Sequence, residues 1–370
     1  MFKFNMFADH TGGGREYNYD LLRIVCTIAV ITIHVSGIYY NSLTQIEFFG
    51  QLYTKNAFLS SFYNGFSKFA VPCFVMLSGA FLLANPKNQD FKYFYNKSFN
   101  YLGVQTIIYT IFYFLLFLVC KYLAIVYKGK ASIEILVPIV SLLKGEPYYH
   151  MWYLYMLIGV YIAVPAIIII KDRIKESTFT KVAWTFMFLA TISSLTHDVL
   201  LCYDIGFSFC YLGFLLIGYE IRKRVTNKDN VKAFIYIGAS IILFSFVGVV
   251  KYIALDLEMY YRLTILKLQD NFSPLIVIGS ICLFTGFAYL KVNLNLSKLS
   301  SLCFVIYLIH AFILYLLMQV LRKYGYNLNN AYVIPTLIVL VFILSVIYAK
   351  VYIKCYNYLT SKYMATTSKA

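Results

Sequence analysis

Apolar runs close to the thickness of a bilayer recur along the whole chain, at 19–40, 60–84, 101–126, 151–170, 182–197, 206–221, 233–254, 272–290, 302–321 and 332–353. A hydrocarbon core of about 30 Å needs about 20 helical residues to cross it. Lipid offers the backbone no hydrogen-bonding partners, so such runs must close their bonds within helices or in a barrel. The alternation of lipid-facing and lumen-facing residues that marks a barrel is absent. The sequence therefore predicts an all-α, polytopic membrane bundle of about ten transmembrane helices, the fifth and sixth being the shortest. Composition agrees, with 61% hydrophobic and only 13% charged residues, where a soluble domain carries about a quarter charged.

With those spans, the N-terminus, the even-numbered loops and the C-terminus hold roughly 19 Lys/Arg against roughly 8 on the other side, which predicts that both termini are cytoplasmic. The densest basic segments are 171–181 and 222–232. The net charge of +16 is thus mostly a topology signal. It is spread over short loops rather than gathered in one domain, so nucleic acid is not an expected partner; membrane lipid is. The chain divides into a polar leader (1–18), an integral-membrane domain (19–353) and a loose, polar cytoplasmic tail (354–370). The leader holds Gly12-Gly13-Gly14 but no cleavage site, and the triplet lacks the Lys-Ser/Thr of a phosphate loop. Eight cysteines show no CxxC or Cys/His spacing, so no metal site is expected.

Ionisable residues inside such helices are costly to insert and mark function. Arg23 and His34 stand eleven residues apart in the first run. That separation brings both to one helix face, roughly 16 Å apart along the axis. Asp20 precedes Arg23 by three residues and can pair with it. Thr27 and Ser36 add hydroxyls to the same polar path. His34 titrates near neutrality and suits a general base or an acyl-carrying nucleophile. Arg23 stays protonated, which fits it to bind phosphate or to stabilise developing negative charge.

Four other histidines differ in setting. His10 lies in the leader, and His197 in the short loop between the fifth and sixth runs, where both are solvated. His150 precedes Met151-Trp152-Tyr153-Leu154-Tyr155 at the start of the fourth run, a pattern that also suits an interfacial aromatic anchor. His310 follows Tyr307 by three residues, so the two share a face near mid-membrane. Pro72 interrupts the second run, and Ser78-Gly79 permit close helix approach.

Taken in order, these motifs resemble the acyltransferase 3 family of bacterial integral-membrane acyltransferases. The matching elements are Arg23 and His34, the Phe74–Gly79 segment (Phe-x-Met-Leu-Ser-Gly), the His150–Leu154 segment (His-x-Trp-Tyr-Leu), and Ile306–His310 (Ile-Tyr-Leu-Ile-His). The resemblance covers residues 17 to about 353. One departure stands out. Many members carry paired arginines entering the third helix, whereas this chain reads Tyr95-Asn96-Lys97-Ser98-Phe99-Asn100-Tyr101-Leu102-Gly103. Lys97 supplies charge there without the two-pronged guanidinium.

The resemblance implies transfer of an acyl group, usually acetyl, from cytosolic acyl-CoA to a hydroxyl of an extracytoplasmic or lipid-linked glycan, at the bacterial cytoplasmic membrane. Acetyl-CoA is then a co-substrate, and no bound cofactor is expected. In that reading His34 and Arg23 are catalytic, and Arg23, Lys97, Arg222 and Arg224 meet the donor. His150, Trp152, Tyr307 and His310 face the acceptor. A rival of another class is a polytopic glycan or lipid-linked oligosaccharide transporter, which would need a passage but no His/Arg couple.

Overall fold

The computed structural model describes residues 15–46, 54–128, 140, 147–196, 207–254, 268–325 and 331–367, and those residues form helices, turns and short connections without a strand. The first helix, α1 (Tyr17–Ile46), is followed by α2 (Thr54–Phe66) and α3 (Ala70–Leu82), which join through a 3₁₀ turn at Ser67–Phe69. Proline has no N–H and cannot bond back to the preceding turn. The break expected at Pro72 therefore lies just ahead of it, in the turn whose Lys68 carbonyl the proline cannot cap. Next come α4 (Phe91–Ser98), a π turn at Phe99–Gly103, and α5 (Val104–Lys128). The remaining helices are α6 (Trp152–Arg173), α7 (Glu176–Thr196), α8 (Leu212–Arg224), α9 (Asn230–Ile253), α10 (Pro274–Tyr289), α11 (Cys303–Lys323) and α12 (Ile334–Thr367).

Among the described residues, seven helical segments are long and apolar enough to cross a membrane: Tyr17–Tyr39, Ala57–Leu82, Phe91–Leu123, Trp152–Arg173, Asn230–Ile253, Cys303–Lys323 and Ile334–Ser361. That is fewer than the ten anticipated. The fifth and sixth runs correspond to α7, diluted by Ser and Thr, and to the 13-residue α8, which ends in Arg222-Lys223-Arg224. The eighth corresponds to α10, apolar but only 16 residues long. The tail is not loose up to its end, because α12 continues through it to Thr367. Nor is the leader wholly separate from the bundle. Asn18 is buried and donates to the Phe287 carbonyl at 2.8 Å. His10, Gly12–Gly14, His197 and Cys202 lie outside the described residues.

Burial separates a centre from a rim. The Ala57–Leu82 window is 72% buried, and those of α1 and α11 are 56% buried, against 28% for the α4–α5, α9 and α12 windows. Glycines set the tightest contact. A Cβ on Gly79 of α3 would lie 1.7 Å from the Leu215 carbonyl oxygen of α8, and one on Gly218 of α8 would lie 2.1 Å from the Met76 oxygen. The two backbones touch, as small residues allow in membrane bundles. Gly79 thus does what its place in the sequence suggested. By fixing α3, it holds Phe74, Leu77 and Ser78 against the central helices α1 and α6.

Candidate active site

The start of α1 builds a charged cluster. Arg23 Nη1 donates to Asp20 Oδ1 at 3.1 Å and to Ser300 Oγ at 2.7 Å. Arg15 reaches the same carboxylate through Nε at 2.7 Å and Nη2 at 3.1 Å. The Asp20 side chain is only 5% exposed, so its charge is held by two guanidinium groups rather than by water. The expected Asp20–Arg23 pair is present, and Arg15 completes it. Thr27 donates back to the Arg23 carbonyl at 2.8 Å, and Ser36 to the Thr32 carbonyl at 2.6 Å. Both hydroxyl protons are therefore spent on the helix itself.

Above this cluster lies a narrow cavity of about 70 Å³. Arg23 and Ser300 line it together with Ser78, Tyr101, Tyr153 and Tyr307. Ser78 Oγ and the Tyr161 hydroxyl stand 3.2 Å apart in its wall. Apolar side chains from α3, α6 and α11 supply the rest, among them Phe74, Leu157 and Phe304. A guanidinium and several hydroxyls thus face an otherwise greasy slot between helices, the usual make-up of a small-molecule site.

Tyr307 joins this cavity to the histidines. Its hydroxyl donates to the His150 carbonyl, and its ring lies 5.6 Å from His150 and 5.7 Å from His310. The ring of His310 lies 5.2 Å from His34 and 5.1 Å from His150. Three imidazoles from α1, the turn before α6, and α11 therefore meet in one cluster. His310 Nδ1 lies 2.6 Å from the Tyr307 carbonyl. A carbonyl only accepts, so Nδ1 carries the proton and Nε2 presents its lone pair. Tyr149 covers His34 with ring centroids 4.9 Å apart. Tyr113 of α5 packs on His150 at 5.0 Å and donates to the Leu308 carbonyl at 2.8 Å. Among the described residues, no group of three or more His, Cys, Asp or Glu could hold a metal ion.

The other expected site residues lie elsewhere. The Trp152 ring lies 6.5 Å from Tyr211 and 6.2 Å from Tyr153. Arg222 donates to Glu16 at 2.8 Å and to the Ala80 carbonyl at 2.8 Å, and stacks on Phe81. Arg224 pairs with Glu220 at 2.9 Å and Thr180 at 2.8 Å on the surface. Lys97 lies over the Tyr93 ring. None of these three cations lines the Arg23 cavity. Close to Arg222, burial holds Lys228 below the ordinary lysine range, with Glu16 pulling the other way and Arg222 adding to the shift.

Several participants escaped the sequence reading. Arg15 and Ser300 sit in polar stretches with no periodic signal, and only the fold brings them to Asp20 and Arg23. Tyr153, Tyr161 and Tyr101 are ordinary members of tyrosine-rich helices. That His150 meets His34 required a contact between residues 116 positions apart in the sequence.

Compared with known proteins, the chain matches the acyltransferase 3 family, described as an acyltransferase domain, over residues 16–350. No curated protein and no solved structure gives a match. The match takes in α1 through the first half of α12, and with it Arg23, the three clustered histidines and Tyr307. With Arg23 and His34 on one helix, and with apolar helices long enough to cross a membrane, this chain belongs to the acyltransferase 3 family of membrane acyltransferases.

Proposed function

We propose that this protein moves an acyl group, acetyl in the simplest case, from a cytosolic acyl-CoA to a hydroxyl of a cell-surface or lipid-linked glycan. The setting is the bacterial cytoplasmic membrane, with both termini in the cytoplasm. The observation that carries the reading is the link through Tyr307. One residue lines the Arg23 cavity and also touches the histidine cluster around His34.

In this reading the thioester arm of the donor enters the cavity from the Arg23 side. The guanidinium offers charge to phosphate, or to the oxyanion that forms at the thioester carbonyl. Lys97, Arg222 and Arg224 add positive potential on the cytoplasmic side, where the nucleotide of CoA waits. His34 takes the proton of the acceptor hydroxyl as the oxygen attacks the carbonyl carbon. The carbon–sulfur bond breaks, and the sulfur leaves as thiolate and is protonated. A variant of the same chemistry passes the acyl group first to the imidazole and then to the hydroxyl. His150, Tyr307 and His310 shape the acceptor side, and the Nδ1-anchored His310 supports proton transfer within the cluster. Trp152 stands at the edge of this region.

Mass spectrometry of surface glycans from cells with and without the protein tests the assignment. Added acetyl or succinyl mass that vanishes with the protein supports it and names the donor. Identical acylation, with glycan retained inside the cell, would instead favour a transporter.

A further inference from the structure

Beside His34 lies a second polar group that the acyl transfer described above leaves unused. Asn64 of α2 donates through Nδ2 to the Ile33 carbonyl at 2.9 Å and to Ser36 Oγ at 3.3 Å. Its Oδ1 accepts from Lys251 of α9, and both side chains are buried. Lys68 follows Asn64 by four residues, in the 3₁₀ turn between α2 and α3. It is half-buried, as His34 is, so both keep some accessible surface. Lys68 lies within electrostatic reach of His34, Lys251 and Asp270. Among the described residues it forms no ion pair or hydrogen bond of its own. Among the described residues, the carboxylate that reaches Lys68 is Asp270, which accepts from Ser194 at 2.9 Å and from the Asn271 amide at 2.7 Å.

The helix segments that carry the two lysines are held against each other. A Cβ on Gly65 would lie 2.7 Å from Gly248 Cα, so α2 and α9 touch one turn or less from Asn64, Lys68 and Lys251. Like charges brought near each other where water is scarce repel, and intramembrane cations are kept where they serve a ligand or a path. Asn64 accounts for Lys251 as a structural cation. Among the described residues, nothing comparable accounts for Lys68. A lysine is a compact point charge that accepts carboxylate or phosphate oxygens alike, without the fixed fork of arginine.

We infer that Lys68, seconded by Lys251, holds an oxyanion of the acceptor, a carboxylate or a phosphate, next to the hydroxyl that His34 deprotonates. The acceptor is then an acidic glycan rather than a neutral one. This inference rests on the acyl-acceptor reading of the His34 cluster.

Calorimetric titration of the purified full chain in lipid nanodiscs, with no donor present, tests it. The probes are methyl glucuronide, glucose 1-phosphate and the neutral methyl glucoside. At least one charged sugar should bind about tenfold or more tightly than the neutral one, by an advantage that shrinks with salt. Which of the two binds better identifies carboxylate or phosphate. Lys68→Gln should bring the charged sugars to within about twofold of the neutral one, and Lys68→Arg should retain most of the difference. Equal behaviour of all three sugars with the wild-type protein, whether binding is measurable or not, would overturn the inference. So would a charge preference that survives Lys68→Gln. Because no donor is present, the outcome is independent of catalysis. A Lys68-dependent preference in a protein that transfers nothing from acetyl-CoA would uphold the anion site and count against the acyltransferase reading of the cluster.

Discussion

Arg23 and His34 share one helix and one face, yet their surroundings are opposite in kind. Arg23 is neutralised by Asp20, which Arg15 also holds, and is tethered to Ser300. His34 sits among Tyr149, His150 and His310, and among the described residues no carboxylate pairs with any of these imidazoles. The difference suits the two tasks proposed for these residues. A fixed charge that binds or stabilises an anion needs a frame that keeps it in place and a counter-charge that lowers its cost in the membrane. A group that must gain and lose a proton is better left without a carboxylate, which would hold it protonated. In the proposed acyl transfer, Arg23 near the start of α1 keeps its charge, and His34 at mid-helix changes it.

Substitutions at the two sites can break or sharpen that contrast. The largest effect belongs to His34→Gln, which keeps size and hydrogen bonding but cannot exchange a proton near neutral pH. Its kcat should fall by about 10²–10⁴, read as acylated glycan per cell at matched membrane abundance. Donor KM should move little, because the base does not hold CoA. Next comes Arg23→Lys, which should lower kcat/KM for the donor by roughly 10–100-fold, the loss of a charge-assisted, geometrically fixed contact. Competition with free CoA would show whether that loss lies in binding.

Asp20→Asn should act less on chemistry than on the frame. It leaves Arg15 and Arg23 facing each other without a counter-charge, and should cost about 1–3 kcal/mol of stability. Thermal unfolding in detergent would record it, and a wild-type melting curve would mean that water or lipid already satisfies the two arginines. Smallest is Arg224→Gln. Its side chain is 56% exposed, and such surface pairs contribute at most about 1 kcal/mol. Donor KM should stay within about twofold of wild type if the charge acts only through long-range potential. A larger rise would place Arg224 against the nucleotide of CoA.

The sequence made some of this arrangement plain. Helical spacing put Arg23 and His34 on one face, paired Asp20 with Arg23, and put Tyr307 beside His310, because each is a relation within one turn or one helix. Gly79 announced its contact for the same reason, a small residue in an apolar helix. What stayed hidden depends on distant segments. The approach of His150 to His34 and His310, the second arginine on Asp20, and Lys68 beside Lys251 all come from packing between helices. Chain spacing carries no trace of these. Counting apolar windows also gave ten runs, where seven helical segments among the described residues are long and apolar enough to cross a membrane, since hydropathy alone does not register that α10 is only 16 residues long.

The central claim is that the Arg23 cavity and the His34 cluster serve a single acyl transfer. Its most direct test uses the purified full chain in proteoliposomes, with isotopically labelled acetyl-CoA and glycan extracted from its own host cells. Label should pass to glycan with the wild-type protein and fall to about 1% or less with His34→Gln, in line with the loss of a general base. Transfer by His34→Gln at the wild-type rate, or no transfer by the wild-type protein, would contradict the account.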